Sequence, residues 1–230
     1  MRISIIVPAY NEEKRIVGTI SNLIKEMQTA GISDYEIIIA IDGEDKTNEL
    51  VNNIASNKIK IIKNGMRMGK GSAINAGFEQ ARGTIVGFVD ADEAVLASVA
   101  VAMAGFLEKN RQLCGVVGSR RIEKASLRKP GAIRRVFSLA FNVLVRMLLG
   151  LRYYDTQCGA KFFRRELAKK ALPFRTRGFS IDAEMLYRLQ KYGPIFEYPV
   201  DWSSKQGSRF SLHFVPSMFI EVLRIRAADR

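Results

Sequence analysis

Residues 85–92 read IVGFVDAD, an apolar run that ends in two aspartates. The run Ile85–Val89 is rich in β-branched and aromatic side chains and predicts a buried strand. Asp90 and Asp92 follow at positions i and i+2, so both carboxylates can turn toward one point beyond the strand. Such a pair, completed by water and phosphate oxygens, suits Mg²⁺ or Mn²⁺. The same spacing also fits a turn or a helix N-cap.

Strands of this kind alternate with helical patterns along the first half of the chain. The predicted strands cover residues 3–7, 36–41, 59–62, 85–89 and 116–117. Apolar residues at helical spacing predict helices over 16–27, 73–81 and 94–107. The alternation is typical of a mostly parallel, doubly wound α/β sheet with helices on both faces.

Polar residues gather where the predicted strands end. Tyr10 and Glu12 follow the first strand, Asp42 follows the second, and Asp90 and Asp92 follow the fourth. Ligands of open α/β sheets bind beyond the carboxyl ends of the strands. We therefore expect the functional site at this edge.

The second half begins with a long apolar helix, predicted over 133–149. Its polar residues form one narrow stripe, made of Arg135, Ser138, Asn142 and Arg146. At ~1.5 Å per residue the helix is about 25 Å long, which together with its charges argues against a membrane span. Two interpretations stay open: an amphipathic helix over 131–150 in a membrane interface, or a core helix whose arginines extend to the surface.

The rest of the chain is less regular. Residues 153–161 are predicted to be irregular and polar. A helix over 182–190, a short strand over 195–200, a polar loop over 203–209 and a C-terminal helix follow. Because no repeat or linker interrupts the pattern, we expect one domain over 1–230, with a first half up to residue 119 and a second half from residue 120.

The positive charge is concentrated in one segment. The chain has 36 Lys and Arg against 23 Asp and Glu, a net charge of +13. Residues 1–110 carry 12 positive and 14 negative side chains, residues 111–177 carry 17 and 3, and residues 178–230 carry 7 and 6. One-sided charge predicts an anionic partner. Because the arginines alternate with apolar residues and stacking aromatics are sparse, a phosphate on a lipid is favoured over a nucleic acid.

Composition excludes several classes of protein. With 47% hydrophobic residues in 230, the chain is neither a disordered tail nor a collagen-like repeat. Its two cysteines, Cys114 and Cys158, predict no disulfide framework and therefore a reducing compartment. Neither a signal peptide nor a transmembrane helix is expected. His213 is the sole histidine, which excludes a histidine metal cage and a Ser-His-Asp triad.

The glycine-rich residues 65–72 read GMRMGKGS. Their spacing matches neither the Walker phosphate loop nor the Rossmann G-x-G-x-x-G pattern. We expect a flexible loop before a helix N-terminus, where Arg67 and Lys70 can face a base or a diphosphate.

Taken in order, these motifs resemble family 2 glycosyltransferases with the GT-A fold, a Rossmann-like sheet flanked by helices with C-terminal helices on the acceptor side. The likeness rests on VPAYNE at 7–12, Asp42, GKG at 69–71, DAD at 90–92 and GSR at 118–120. DTQCGAK at 155–161 and GSR at 207–209 narrow it to the polyprenyl-phosphate branch, which includes the dolichyl-phosphate mannose and glucose synthases.

The resemblance implies a donor site for a nucleotide sugar. The side chains it implies there are Pro8, Tyr10, Glu12, Asp42, Arg67, Lys70, Asp90, Lys205 and Arg209. It implies that Asp90 and Asp92 hold Mg²⁺ or Mn²⁺. Three departures affect this site: Gly43 follows Asp42 where many relatives have a second Asp, Ala94 stands where some have Gln, and Arg209 stands where Lys is usual, which keeps the charge.

The resemblance also implies an acceptor site, with Arg120 and Arg135 as ligands of the acceptor phosphate. We count Asp92, Arg120, Arg135 and Asp182 as catalytic candidates. A phosphate monoester, with a second pKa near ~6, is already nucleophilic at neutral pH. A hydroxyl acceptor would instead need a carboxylate base, for which Asp182 is a candidate.

We therefore expect inverting transfer of glucose or mannose, from UDP-glucose or GDP-mannose, to a polyprenyl phosphate. The DTQCG stretch at 155–159 resembles the glucose synthases more closely. The expected location is the cytoplasmic face of a membrane, where the protein is bound peripherally, with a membrane-protein partner left open. The alternatives are a family 2 enzyme with a hydroxyl acceptor and a basic nucleic-acid-binding module.

Overall fold

The computed structural model describes residues 2–63, 69–122, 127–128, 132–203 and 215–228. The strands are β1 (Ile3–Ala9), β2 (Tyr35–Ile41), β3 (Ile59–Lys63), β4 (Ile85–Val89), β5 (Gly115–Ser119), β6 (Leu127–Arg128), β7 (Ala160–Arg164), β8 (Ile195–Pro199) and β9 (Trp202–Ser203). The helices are α1 (Ile16–Thr29), α2 (Thr47–Asn53), α3 (Lys70–Gln80), α4 (Ala97–Lys109), α5 (Ala132–Leu149), α6 (Arg165–Ala171), α7 (Ile181–Leu189) and α8 (Val215–Ala227). A 3₁₀ turn over Gln190–Tyr192 extends α7.

Seven strands form one sheet in the order β3-β2-β1-β4-β7-β5-β8. Most neighbours are parallel, whereas β7 runs antiparallel to both β4 and β5. The short strands β6 and β9 pair with each other in a second sheet. The predicted mostly parallel α/β sheet is confirmed, with one inverted strand at its centre.

The core lies on both faces of this sheet. Side chains of a strand alternate between faces, so Ile3, Ile5 and Val7 pack with α1 and α4 while Ile6 packs with α3 and α7. The middle strands are buried on both sides, which explains their continuous apolar sequences. Helices on both faces confirm the doubly wound architecture.

Five short elements are absent from the prediction, namely α2, β6, β7, α6 and β9, and β7 falls partly in the stretch predicted to be irregular. Helices α3 and α4 each start three residues from the predicted position, at Lys70 and Ala97. In β7 the charged side chain of Lys161 interrupts the apolar run, yet this lysine is fully buried. Helix α4 starts at Ala97, three residues later than predicted, because the preceding Leu96 has an extended backbone with φ of −62° and ψ of 144°.

The polar stripe of α5, where it is described, is buried only at Asn142, because Ser138 is exposed and Arg146 is half-buried. Asn142 is buried, while the apolar residues Leu139, Val143 and Met147 are 42%, 46% and 70% exposed. Helix α8 packs beside α5 and exposes Ile220. Among the described residues, no helix is both long and apolar enough to cross a membrane.

Candidate active site at the carboxyl edge of the sheet

The predicted polar residues of the first half do meet at one edge of the sheet. The register of β1 and β2 pairs Ala9 with Ile41, so the residues that follow both strands emerge side by side. The amide of Asp42 donates to the carbonyl of Ala9 at 2.7 Å. Strand β4 pairs with the other side of β1, and Asp90 follows it at the same edge.

Asp42 and Glu12 are both buried at this edge and already hold protein groups. Asp42 accepts a hydrogen bond from the amide of Gly69 at 2.8 Å. Glu12 accepts from the guanidinium of Arg15, with Nε at 2.7 Å, and its amide donates to Thr47. The loop that contains Tyr10 is therefore built on buried polar contacts next to the end of β2.

The Gly69-Lys70-Gly71 motif is tightly packed, which corrects the expected flexible loop for its described part. Gly69 has a φ of 85°, in the region that favours glycine. The amide of Gly71 donates to the carbonyl of Arg177 at 2.8 Å, and a Cβ on Gly71 would collide with the carbonyl of Thr176. Both glycines thus permit the close backbone approach that places Lys70 in the first turn of α3.

Lys70 links the aspartate of β4 to a buried aspartate of α7. Its Nζ lies 2.9 Å from Oδ1 of Asp90 and 2.9 Å from Oδ2 of Asp182. Asp182 also pairs with the buried Lys161, whose Nζ donates to the carbonyl of Cys158 at 2.6 Å. Asp90, Lys70, Asp182 and Lys161 therefore form a row of alternating charges, which we call the lysine chain.

Protonation states in the lysine chain follow from its pairing. Although burial acts to lower the pKa of Lys70, Asp182 and Asp90 raise it above its ordinary value. Although burial acts to raise the pKa of Asp182, Lys161 and Lys70 hold it below its ordinary value. Burial raises the pKa of Asp90 to about 6, with Lys70 opposing the shift and Asp92 and Asp182 adding to it. Asp182 is thus a structural anion and a poor proton acceptor.

Asp90 and Asp92 suit a hard divalent cation in their chemistry. The carboxylate of Asp90 is 34% exposed, and one oxygen of Asp92 accepts from the amide of Ala94 at 3.0 Å. A side chain at Gly159 would collide with Asp90, so this glycine leaves room for the carboxylate. Mg²⁺ is usually bound by one or two carboxylates together with water and phosphate. No cluster of three or more such ligands occurs within the described ranges.

On the second-half side, Arg120 follows β5 and is clamped by Asp155. Its Nε and Nη2 donate to the two carboxylate oxygens at 2.7 and 2.9 Å, and its amide donates at 3.0 Å. Although burial acts to raise the pKa of Asp155, Arg120 lowers it to about 2. A planar guanidinium held in this two-point fashion has a fixed orientation.

Four predicted residues lie wholly or partly outside the described structure. Arg67, Lys205 and Arg209 are outside the described residues, and Arg135 lies in α5 with a side chain that is not described. Of the two predicted ligands of the acceptor phosphate, only Arg120 has a described side chain. Pro8 lies in β1 beside Ala40 and Tyr10 is half-buried, so their nucleotide-binding roles stay predictions.

Several residues that organise this edge carry no recognisable signal in the sequence. Lys161 and Asp155 belong to the DTQCGAK motif, yet their partners Asp182 and Arg120 lie 21 and 35 positions away. Local spacing cannot reveal such pairs. Cys158 is buried, and burial raises the pKa of its thiol to about 12.

Comparison with known proteins agrees with this geometry. A model of the family "Glycosyl transferase family 2" matches residues 4–172. A protein of Trichomonas vaginalis, named dolichyl-phosphate beta-glucosyltransferase ALG5A, is 32% identical over 99% of this chain and 74% of its own length.

Two solved structures resemble the chain in fold. Mannosyl-3-phosphoglycerate synthase from Rubrobacter xylanophilus aligns over 100% of this chain and 74% of its own, with a TM-score of 0.76 and 19% identity. Glucosyl-3-phosphoglycerate synthase from Mycobacterium tuberculosis, solved with Mn²⁺, UDP and glucosyl-3-phosphoglycerate, covers 97% of this chain and 77% of its own at a TM-score of 0.68 and 20% identity. These likenesses confirm the GT-A fold.

The ordered motifs, the sheet and the comparisons all point to one family. The family model covers well over half of the chain, and the curated relative extends the match beyond residue 172. The chain therefore belongs to glycosyltransferase family 2, in the polyprenyl-phosphate branch that its motifs resemble.

Proposed function

We propose that this glycosyltransferase moves glucose from UDP-glucose to a polyprenyl phosphate such as dolichyl phosphate, with inversion at the sugar. The curated relative in Trichomonas vaginalis is named for glucosyl transfer to dolichyl phosphate. The structural neighbour from Mycobacterium tuberculosis was solved with UDP, which supports a uridine nucleotide donor. GDP-mannose is the competing donor.

One observation carries the choice of a phosphate acceptor. Asp182, the candidate base for a hydroxyl acceptor, is buried and has each carboxylate oxygen on a lysine ammonium. A carboxylate with a lowered pKa that is held by two cations is a weak proton acceptor. A phosphate acceptor is largely dianionic at neutral pH, because its second pKa is near ~6, and it therefore needs no base. The geometry therefore favours phosphate over hydroxyl.

Positive charge must bring two anions together in such a reaction. Arg120 offers a guanidinium of fixed orientation on the acceptor side, and Lys70 offers an ammonium on the donor side. We propose that Arg135 joins Arg120 at the acceptor phosphate, and that Arg67, Lys205 and Arg209 contact the donor. Stabilisation of the developing charge by preorganised polar and charged groups is usually the largest single contribution of an enzyme to catalysis.

We propose that Asp90 and Asp92 hold Mg²⁺ or Mn²⁺ beside the donor diphosphate. Bound there, the cation would neutralise charge on the leaving nucleotide. The manganese in the structural neighbour supports a divalent cation in this fold. Lys70 keeps the carboxylate of Asp90 oriented at the end of β4, and Asp182 keeps Lys70 in place.

We further propose that the protein binds peripherally to the cytoplasmic face of a membrane through α5 and α8. The exposed residues Leu139, Val143 and Met147 recur every fourth position and form one apolar ridge on α5. A polyprenyl chain resides in the bilayer, so its phosphate is presented at the lipid surface. An apolar helix face next to Arg120 suits that delivery.

The test is product formation from a panel of donors and acceptors. UDP-glucose and GDP-mannose are each incubated with a polyprenyl phosphate and Mg²⁺ or Mn²⁺, and lipid-linked sugar is measured. We expect glucosyl product from UDP-glucose that disappears with a chelator. The matched control is the same polyprenol without its phosphate, which should not react. Transfer to the free polyprenol, or no metal-dependent product from either donor, would contradict the proposal.

A further inference from the structure

Helix α5 is attached to the acceptor side of the site through one buried amide side chain. We propose that Asn142 is a positioning residue: it holds the segment around Asp155, and through Asp155 it sets the position of Arg120 for the acceptor phosphate. The inference rests on the proposed function and deepens it, because it ties acceptor recognition to the helix that faces lipid.

Asn142 contacts the residues on both sides of Asp155. Its Nδ2 donates to the carbonyl of Tyr154 at 2.9 Å. Its Oδ1 accepts from the amide of Thr156 at 3.0 Å and from the Thr156 hydroxyl at 2.9 Å. Asn142, Thr156 and Asp155 are all buried, so water cannot readily replace these bonds.

A carboxylate of β8 also holds the segment around Asp155. Glu197 of β8 accepts from the amides of Tyr154 and Asp155, at 2.9 and 3.0 Å. Asp155 is thereby fixed by its own amide and by both neighbours before it pairs with Arg120. The position of the Arg120 guanidinium therefore depends on that of Asp155, because two hydrogen bonds join it to the Asp155 carboxylate.

A second link joins α5 to the same strand end. Arg121, the residue after Arg120, donates from Nη2 to the hydroxyl of Ser138 at 2.9 Å. Ser138 and Asn142 stand four positions apart on α5, so they are neighbours along the helix surface, with Asn142 buried and Ser138 exposed. The helix thus touches the Arg120 region at two points and offers its other face to the surroundings.

The chain supplies a matched control in Asn75 of α3. Its side chain makes the same kind of paired hydrogen bonds to the backbone of Phe174. Nδ2 of Asn75 donates to the carbonyl of Phe174 at 2.6 Å, and the amide of Phe174 donates to Oδ1 of Asn75 at 2.9 Å. Phe174 lies between α6 and α7 and packs edge to face against Phe78 of α3. Truncation of Asn75 therefore removes a comparable pair of hydrogen bonds at a different place in the fold.

The experiment measures KM separately for donor and acceptor in Asn142→Ala, Asn142→Leu and Asn75→Ala, at matched metal concentration. Misplacement of a binding group should raise the acceptor KM of both Asn142 variants by about 10-fold. We expect the donor KM to stay within about 2-fold of the original, since the lysine chain is untouched. Asn75→Ala should leave the acceptor KM at the original value.

Glu197→Ala provides a second route if the Asn142 variants do not fold, because it loosens the same segment from β8 and should raise the acceptor KM in the same way. Unchanged acceptor KM in these folded variants overturns the inference and leaves the proposed function standing. Equal changes of acceptor KM in the Asn142 and Asn75 variants also overturn it. If the unmodified protein forms no lipid-linked sugar, the proposed function fails and this inference fails with it.

Discussion

The donor side and the acceptor side of the site fix their cations in different ways. On the donor side, the ammonium of Lys70 bridges Asp90 and Asp182 at the end of a flexible side chain. On the acceptor side, the guanidinium of Arg120 lies flat against Asp155. An ammonium is a point charge that can exchange partners, whereas a guanidinium fork fixes direction. The difference suits a donor side that releases a product and an acceptor side that must aim a nucleophile.

The largest effect on the transfer rate should come from Asp92, which lies two residues after the Asp90 end of the lysine chain. We expect Asp92→Ala to lower the transfer rate by at least ~10²-fold, because a cation ligand and a negative charge are lost together. Initial rates across a Mn²⁺ titration measure the effect. Glu93→Gln is the neighbouring control, since Glu93 bonds to Asn22 instead. A similar loss in both variants would contradict a special role for Asp92.

The closed end of the same chain should dominate stability. Asp182→Asn leaves Lys70 and the fully buried Lys161 without their shared anion. Breaking a buried ion pair in this way costs about 3–5 kcal/mol in the free energy of unfolding, measured by urea denaturation. The surface pair of Asp34 with Arg2 gives the control, because Asp34→Asn should cost below ~1 kcal/mol. Equal costs would show that the lysine chain is no more tightly coupled than a surface pair.

On the acceptor side, the contribution of the Arg120–Asp155 ion pair to the free energy of unfolding should decrease at low pH. In the fold Arg120 lowers the pKa of Asp155 from 3.8 to about 2. A lowered pKa contributes stability that is complete above the ordinary value and is lost as pH falls toward 2. The unfolding free energy of the original protein minus that of Asp155→Asn should therefore shrink by roughly 2 kcal/mol between pH 5 and pH 2. A difference independent of pH would contradict the clamp.

The smallest effect should be on the exposed ridge of α5. Met147→Glu should weaken binding to anionic vesicles by about 5-fold, because an exposed apolar side chain becomes charged. Its unfolding free energy should change by less than ~0.5 kcal/mol, as expected for a surface position. Leu96→Glu makes the same change beside α4, on the other face of the sheet. Equal loss of vesicle binding in both variants would contradict the proposal that α5 contacts the membrane.

The same contrast explains what could be predicted from the sequence. The donor edge could be placed in advance, because Asp42 and Asp90 directly follow apolar strands and strand ends share an edge. The acceptor side could not, because Arg120 and Asp155 are distant along the chain and β7 carries a buried lysine. The polar stripe of α5 could be recognised from the spacing of its residues, but the partners of Asn142 could not, because they lie 12 and 14 positions away in the chain.

The inverted strand β7 joins what the linear sequence separates. The seven residues 155–161 that lead into it supply Asp155 to Arg120, the carbonyl of Gly159 to the amide of Asp90, and Lys161 to Asp182. Residues 155–161 therefore connect the first and second halves of the chain, and we expect that neither half can be exchanged between family members as an independent module. A chimera joined at residue 119 would have to carry residues 155–161 matched to both parents at once.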